Sequence, residues 1–238
     1  MSVRGVAIFL VVLLGLLLAL DRFGVAYAED RVAAQLQEEL ALSSTPEVDI
    51  TGFPALTQAI AGRYDDVRLR LDSADIAGLS DLDVVVELHG LRITLAELFS
   101  EEVEAIPVGR IDGAVSVPYA TVAEQLGDGV TVARGDGGVT VTDTFEVLGQ
   151  DVPVSGTGEV TVVGPRQLAV TVVALNLAGV DIPEFLIEQL QEQLSFTYEL
   201  PPLPFGLTIT DARATADGFD VTAEASDAVI DPDAIPTD

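Results

Sequence analysis

The 238-residue chain contains no cysteine, no lysine and no tryptophan, and only one histidine and one methionine. Each absence removes a class of chemistry. Without Cys there are no disulfides, thiol nucleophiles, cysteine zinc sites or acylated lipoprotein anchors. Without Lys there is no Schiff-base catalysis, and a single His excludes any site that needs two or three imidazoles. Eleven basic residues, all Arg, face 39 acidic ones, a net charge of 11 − 39 = −28. A chain this acidic is repelled by phosphate backbones, so nucleic acid is excluded as a partner. Aromatic residues make up 5% of the chain, which leaves few stacking platforms for a glycan. Neither a G-x-S-x-G elbow nor a G-x-x-x-x-G-K loop occurs. No catalytic residue, metal-ligand set or cofactor follows from what remains, and a binding role is expected rather than an enzymatic one.

What is present begins with an apolar run of 15 residues, Val6 to Leu20, preceded by Arg4 and ended by Asp21-Arg22. At about 1.5 Å per residue this helix covers roughly 22 Å, short of the ~30 Å hydrocarbon core of a bilayer. The length suits a signal-peptide core, and Ala26-Tyr27-Ala28 supplies a small-x-small cleavage site. The alternative is an uncleaved N-terminal anchor with Arg4 on the inner side. In both cases the remainder is expected outside the cytoplasm, in the cell envelope. Residues 1–28 are thus assigned to a signal peptide or membrane anchor, and 29–226 to a single domain. The acidic stretch 227–238, with two prolines, reads as a flexible tail.

Periodicity predicts an α+β fold. Val32, Leu36 and Leu40 recur every four residues, so Asp30 to Leu42 is expected as a helix. Alternation then takes over at Val48 and Ile50, at Val67 to Leu71, and at Leu82 to Leu88, with Gly90 breaking register as a bulge would. Thr94-Leu95-Ala96-Glu97 fits a capping box, and Pro118 opens a helix closed by Gly127. Residues 129–175 read as consecutive antiparallel strands with turns at 134–138, 149–151 and 164–166. A helix is expected at 183–194, where Leu186, Leu190 and Leu194 lie four apart, and a last hairpin turns at Asp217-Gly218. Several strands, such as Val160 to Val163, are apolar on both faces, as suits a sheet covered by helix on one side and by another apolar layer or a ligand on the other.

The polar candidates read mostly as surface. His89 and Glu87 share the polar face of an amphipathic strand, where a solvated His is expected. Arg134-Gly135-Asp136 has the composition of a hairpin turn. Arg68 and Arg70, beside Asp66 and Asp72, suggest a salt-bridge ladder, with an anionic headgroup contact as the sharper alternative. Asp65-Asp66, Glu101 to Glu104 and Asp136 have no calcium-loop spacing.

One stretch carries a family resemblance. Val48-Asp49-Ile50-Thr51-Gly52-Phe53-Pro54-Ala55-Leu56-Thr57-Gln58, followed by Gly62-Arg63-Tyr64-Asp65-Asp66-Val67, resembles the pattern V-x-I-x-G-F-P-x-L-T-Q … G-x-Y-x-x-V of the actinobacterial LmeA-like phospholipid-binding family, formerly a domain of unknown function. Val115-Ser116-Val117-Pro118-Tyr119 and Leu203-Pro204-Phe205-Gly206-Leu207 support it, while Ala55 departs from the bulky residue expected at its place. Within the motif Phe53 and Leu56 are expected to fill a core corner. The resemblance implies a curved antiparallel sheet packed on helices, similar to one half of a tubular (BPI-like) lipid-binding fold. It also implies a partner among phospholipids, including phosphatidylinositol-type lipids, and a role in envelope lipid or lipoglycan assembly. Acyl chains are expected in an apolar cleft between the sheet and helix 183–194. Its candidate lining is Phe53, Leu56, Leu186, Leu190 and Phe205, with Arg63 at the rim, and membrane contact is expected through the N-terminal segment. A scaffold binding protein partners through a sheet edge, or a carboxylate-dependent hydrolase of envelope glycans, are the alternatives.

Overall fold

The computed structural model describes residues 3–39, 42–76, 79–94, 97, 105–147, 150–177, 191–192, 195–200 and 202–231. Among them are three α-helices and eleven strands in two open sheets, an α+β architecture. The helices are α1 (Val3–Glu39), α2 (Ala55–Ala61) and α3 (Tyr119–Leu126). A six-stranded sheet has the order β1-β2-β3-β4-β11-β10, where β1 is Glu47–Thr51, β2 Arg63–Ile76, β3 Leu79–Arg92, β4 Ile106–Pro118, β10 Thr208–Ala214 and β11 Gly218–Ile230. A five-stranded sheet has the order β5-β6-β7-β8-β9, where β5 is Thr131–Gly135, β6 Gly138–Val147, β7 Gln150–Gly164, β8 Gln167–Leu177 and β9 Phe196–Glu199. The single sheet expected from the sequence is therefore two. The hairpins of residues 131–199 pair in chain order among themselves, whereas the last hairpin, β10–β11, joins β4.

The chain divides into two compact units. Unit 1 is Met1–Leu71, Val85–Ile111 and Ser226–Asp238; unit 2 is Asp72–Val84 and Asp112–Ala225. In unit 1 the alternation read at Val48 and Leu71 places both side chains in the core with Ile93, Val108 and Ile111. Val108 and Ile111 are the most completely buried large side chains among the described residues. β1 is an edge strand, paired with β2 in register from Glu47↔Arg70 to Thr51↔Asp66. Gly90 has φ at 67°, and three residues on Ile93 is buried.

The capping box at Thr94 is present. The Thr94 amide and hydroxyl both donate to Glu97 Oε2, at 2.7 and 2.8 Å, and the Glu97 amide returns a bond to Thr94 Oγ1 at 3.3 Å. The Thr94 amide, and then its hydroxyl, hold the Glu97 carboxyl below its ordinary range. A depressed carboxyl contributes stability above its unfolded pKa and loses it as pH falls through the folded one. Thr94→Ala is thus expected to lower stability at neutral pH. In urea titrations this difference should shrink as the medium is acidified.

In unit 2, Tyr119 opens α3 and stacks edge-on against Phe219 at 5.4 Å, and its hydroxyl donates to the Thr215 carbonyl at 2.9 Å. Burial pushes the Tyr119 phenol up. Buried Thr121 ties α3 to β3 through the Ser80 carbonyl at 2.8 Å. The Asp217-Gly218 turn closes β10 on β11 as read from the sequence, and β11 continues to Ile230. Of the helix expected at 183–194, Gln191 and Glu192 are helical, and residues 178–190 lie outside the described residues.

Candidate functional site

The family-like motif forms a corner of unit 1: β1, a turn at residues 52–54, α2, and β2. Several polar and small residues of the motif have a local task. Gly52 has φ at 109°, and a Cβ there would stand 2.0 Å from Gln58 Nε2, so only glycine lets Gln58 lie across the turn. Gln58 Oε1 then accepts the Asp65 amide at 3.0 Å, and Thr57 Oγ1 donates to the Pro54 carbonyl at 2.7 Å. Gly62 ends α2 in the left-handed region at φ 63°, packed against Thr94. Burial pushes the phenol of Tyr64, two residues on, upward.

The turn and α2 do not put their large apolar residues inside. Phe53 and Leu56 are exposed, and the buried member of the corner is Ala55. The core-corner expectation is therefore corrected: the small side chain is the one enclosed, and the bulky ones are left facing solvent. Arg63 is also exposed and has no ion-pair partner among the described residues.

Helix α1 completes this corner. It does not break at Asp21-Arg22 or at Ala26-Tyr27-Ala28 but continues to Glu39, so the helix expected at Asp30 is its last part. Pro54, at the N-cap of α2, supplies no side-chain acceptor. Asp21 supplies one instead: 4% exposed, its Oδ1 accepts the Leu56 amide at 2.8 Å. Just over two turns later, Glu29 Oε1 accepts the Ile50 amide of edge strand β1 at 2.8 Å. Sequence reasoning missed both acids. The available signal was a short helix whose own N-cap, a proline, has no acceptor for its first amides. Between α1 and β1 lies a groove of about 510 Å³, lined by Arg22, Val25, Ala26 and Glu29 on one side and residues 49–53, including Ile50 and Phe53, on the other.

The charged residues of β1, β2 and β3 form a surface ladder. Arg68 pairs with Glu87, Arg70 Nη1 lies 3.4 Å from Glu47 Oε2, and His89 Nδ1 lies 2.5 Å from Asp66 Oδ1. His89 Nε2 is also 3.8 Å from Glu87 Oε2. These groups are substantially exposed, so each pair contributes little. Arg68→Ala is expected to change stability by no more than about 0.5 kcal/mol, as denaturant midpoints would report. Arg134 is likewise engaged, donating to the Ala214 and Thr215 carbonyls. Among the described residues no three acidic or histidine side chains converge as a metal site would require.

Unit 2 presents an apolar surface of a different kind. The pairings Val160↔Val170↔Phe196 and Val162↔Leu168↔Tyr198 put these six side chains on one face of β7, β8 and β9. The opposite face carries Thr161↔Ala169↔Thr197 and the Arg166–Glu199 ion pair. On the apolar face the four aliphatic residues are half-buried, while Phe196 is 56% and Tyr198 55% exposed. Gln191 Nε2 donates to the Val173 carbonyl at 2.9 Å, and Ser195 Oγ accepts the Val172 amide at 3.0 Å, which fixes the chain entering β9 onto β8. Phe205 belongs to this unit, half-buried in a 3-10 turn (Pro204–Gly206). The segments beside that turn are tied to the β7–β8 turn, since the Leu200 and Ile209 amides donate at 2.8 Å to the Arg166 and Pro165 carbonyls.

Of the six candidate lining and rim residues, Phe53, Leu56 and Arg63 thus fall together on the motif corner of unit 1. Phe205 lies in unit 2, and Leu186 and Leu190 lie outside the described residues.

Two open antiparallel sheets with three helices, and exposed aromatic and aliphatic side chains on them, define an α+β protein. The chain belongs to the LmeA-like phospholipid-binding family, whose model matches residues 19–224. This is a lipid-binding family and not a known enzyme family. No curated protein and no solved structure matches the chain significantly.

Proposed function

We propose that this is a non-enzymatic, extracytoplasmic phospholipid-binding protein that holds acyl chains on the apolar face of β7, β8 and β9 and serves envelope lipid or lipoglycan assembly. The observation that carries this reading is the six-residue face Val160, Val162, Leu168, Val170, Phe196 and Tyr198, whose aliphatic members are only half-buried and whose aromatic members are more than half exposed. A sheet face that closes a protein core excludes water from its aliphatic residues; this one leaves apolar area for another apolar layer. Each acyl methylene removed from water there contributes about 0.8 kcal/mol, and no charge is required, which suits a chain of −28. Family membership supports phospholipid as the ligand class. Phosphatidylinositol-type lipids, and a likeness to half of a tubular lipid-binding fold, are the finer parts of the proposal.

Native mass spectrometry of the full chain tests the reading. Co-purified phospholipid, or its uptake from vesicles containing phosphatidylinositol, is the expected result. A protein that carries no lipid and takes none up would overturn it.

A further inference from the structure

We propose that α1 remains on the mature protein and that the apolar face shared by α1 and α2 docks unit 1 on a phospholipid bilayer. The inference uses no feature of β7–β9 and stands apart from where the bound lipid lies.

The first observation is a stripe. Leu16, Leu20, Phe23 and Tyr27 are all exposed, with Phe23 at 77%. At about 100° per residue these four fall within an arc of roughly 60° on the helix. The second is that this stripe has a neighbour. A Cβ on Gly24 would stand 4.0 Å from Leu56 Cδ2, which brings α2 beside the stripe, and α2 itself leaves Leu56 and Ile60 exposed, Ile60 at 81%. Leu56 and Ile60 are one turn apart and share a face of α2.

The occupant follows from continuity and charge. The stripe lies on the same unbroken helix as the apolar run Val6 to Leu20. Asp21, which ends that run in the sequence, is not on the stripe: it is buried and turned onto the Leu56 amide. The apolar surface therefore passes Asp21 and reaches Tyr27 without a charge on its line. Among the described residues no helix is long and apolar enough to cross a membrane, and the proposed contact is of this face with the bilayer surface. Phe23 and Tyr27 stand at the outer end of this surface, where aromatic side chains settle at a membrane interface. A chain of −28 has no electrostatic attraction to anionic lipid, so the contact is one of apolar insertion.

Retention of α1 has its own argument. Cleavage after Ala28 would remove Asp21, leaving the Leu56 amide at the start of α2 without its acceptor, and would strip one wall from the groove beside β1.

The test uses the full chain, which has no native Cys, so one introduced thiol labels one position. A fluorophore on Ile60→Cys is compared with one on Arg92→Cys, also exposed in unit 1. Both proteins are reconstituted in phosphatidylcholine vesicles containing nitroxide-labelled lipid. Strong quenching at position 60 with little at 92 is expected; equal quenching at the two positions overturns the docking. Peptide mass spectrometry of the membrane-bound mature protein is expected to recover residues 21–28, and a mature chain beginning at Glu29 overturns the retention. Neither readout detects lipid held on β7–β9, so failure here and failure of the lipid-binding reading are separable.

Discussion

Phe196→Asp is expected to lower the phospholipid carried by the protein at least tenfold while leaving it folded. Phe196 lies on β9, the four-residue edge strand of the five-stranded sheet, and every residue of that strand is exposed. A polar side chain there displaces little packing, so stability should change by no more than about 0.5 kcal/mol. The cost appears when lipid binds. The acyl surface then loses the area of a phenyl ring, roughly 1.5–3 kcal/mol, and must also cover a carboxylate with no partner. Since about 1.4 kcal/mol is a factor of ten, the first effect alone predicts a tenfold loss. Thr197→Asp is the matched control. It puts the same charge one residue away, on the opposite face of the same strand, and its lipid load should equal that of the parent. Lipid extraction and native mass spectrometry would read both. Equal loss in the two variants would place the acyl surface elsewhere.

Asp21→Ala is expected to be the more damaging change to folding, by about 2–3 kcal/mol. The carboxylate is buried and accepts the amide of Leu56 in the first turn of α2, which has no acceptor at its own N-cap. Removing it leaves a part-buried N–H unpaired, a loss of about 1–3 kcal/mol, and detaches α1 from the corner it closes. For a protein of this size that corresponds to a fall in melting temperature of about 4–10 °C. Asp21→Asn keeps an acceptor and should recover roughly half the loss, since a neutral bond is about half as strong as a charge-assisted one. Glu29→Gln, at the other α1 contact, should follow the same pattern with a smaller effect, because Ile50 keeps its strand pairing with Val67. A full-length Asp21→Ala protein melting with the parent would mean that α1 is not part of the folded unit.

Much of the strand content was legible because its cause is local. Alternation at Val48, Leu71 and Leu82 demanded period-two geometry, and those residues are buried. The turns at Asp136-Gly137 and Asp217-Gly218 announced their hairpins through residues suited to tight turns. Thr94 and Glu97 found each other because a capping box closes within four residues. The motif around Gly52 was legible as a pattern, and its reason emerged only with the position of Gln58 against the turn.

What was misread shares one feature: the deciding partner is distant in sequence. Phe53 and Leu56 looked like core because bulky apolar residues usually are, yet which side of the corner faces inward depends on where α1 packs, 35 residues upstream of Leu56. Asp21 looked like the polar end of an apolar run, because its amide partner on α2 cannot be inferred from spacing. The division into two sheets likewise rests on β11 pairing with β4 rather than with β9.

By itself, then, the sequence determined the chemical class of this protein: the missing Cys, Lys and Trp and the excess of acid leave apolar contact as its main means of binding, and its motif identified the family. The tertiary structure alone decided which apolar residues remain available for that contact. Composition and periodicity report what each residue does relative to its immediate neighbours, whereas exposure at Phe23, Ile60 or Phe196 is set by the elements that do or do not pack against it.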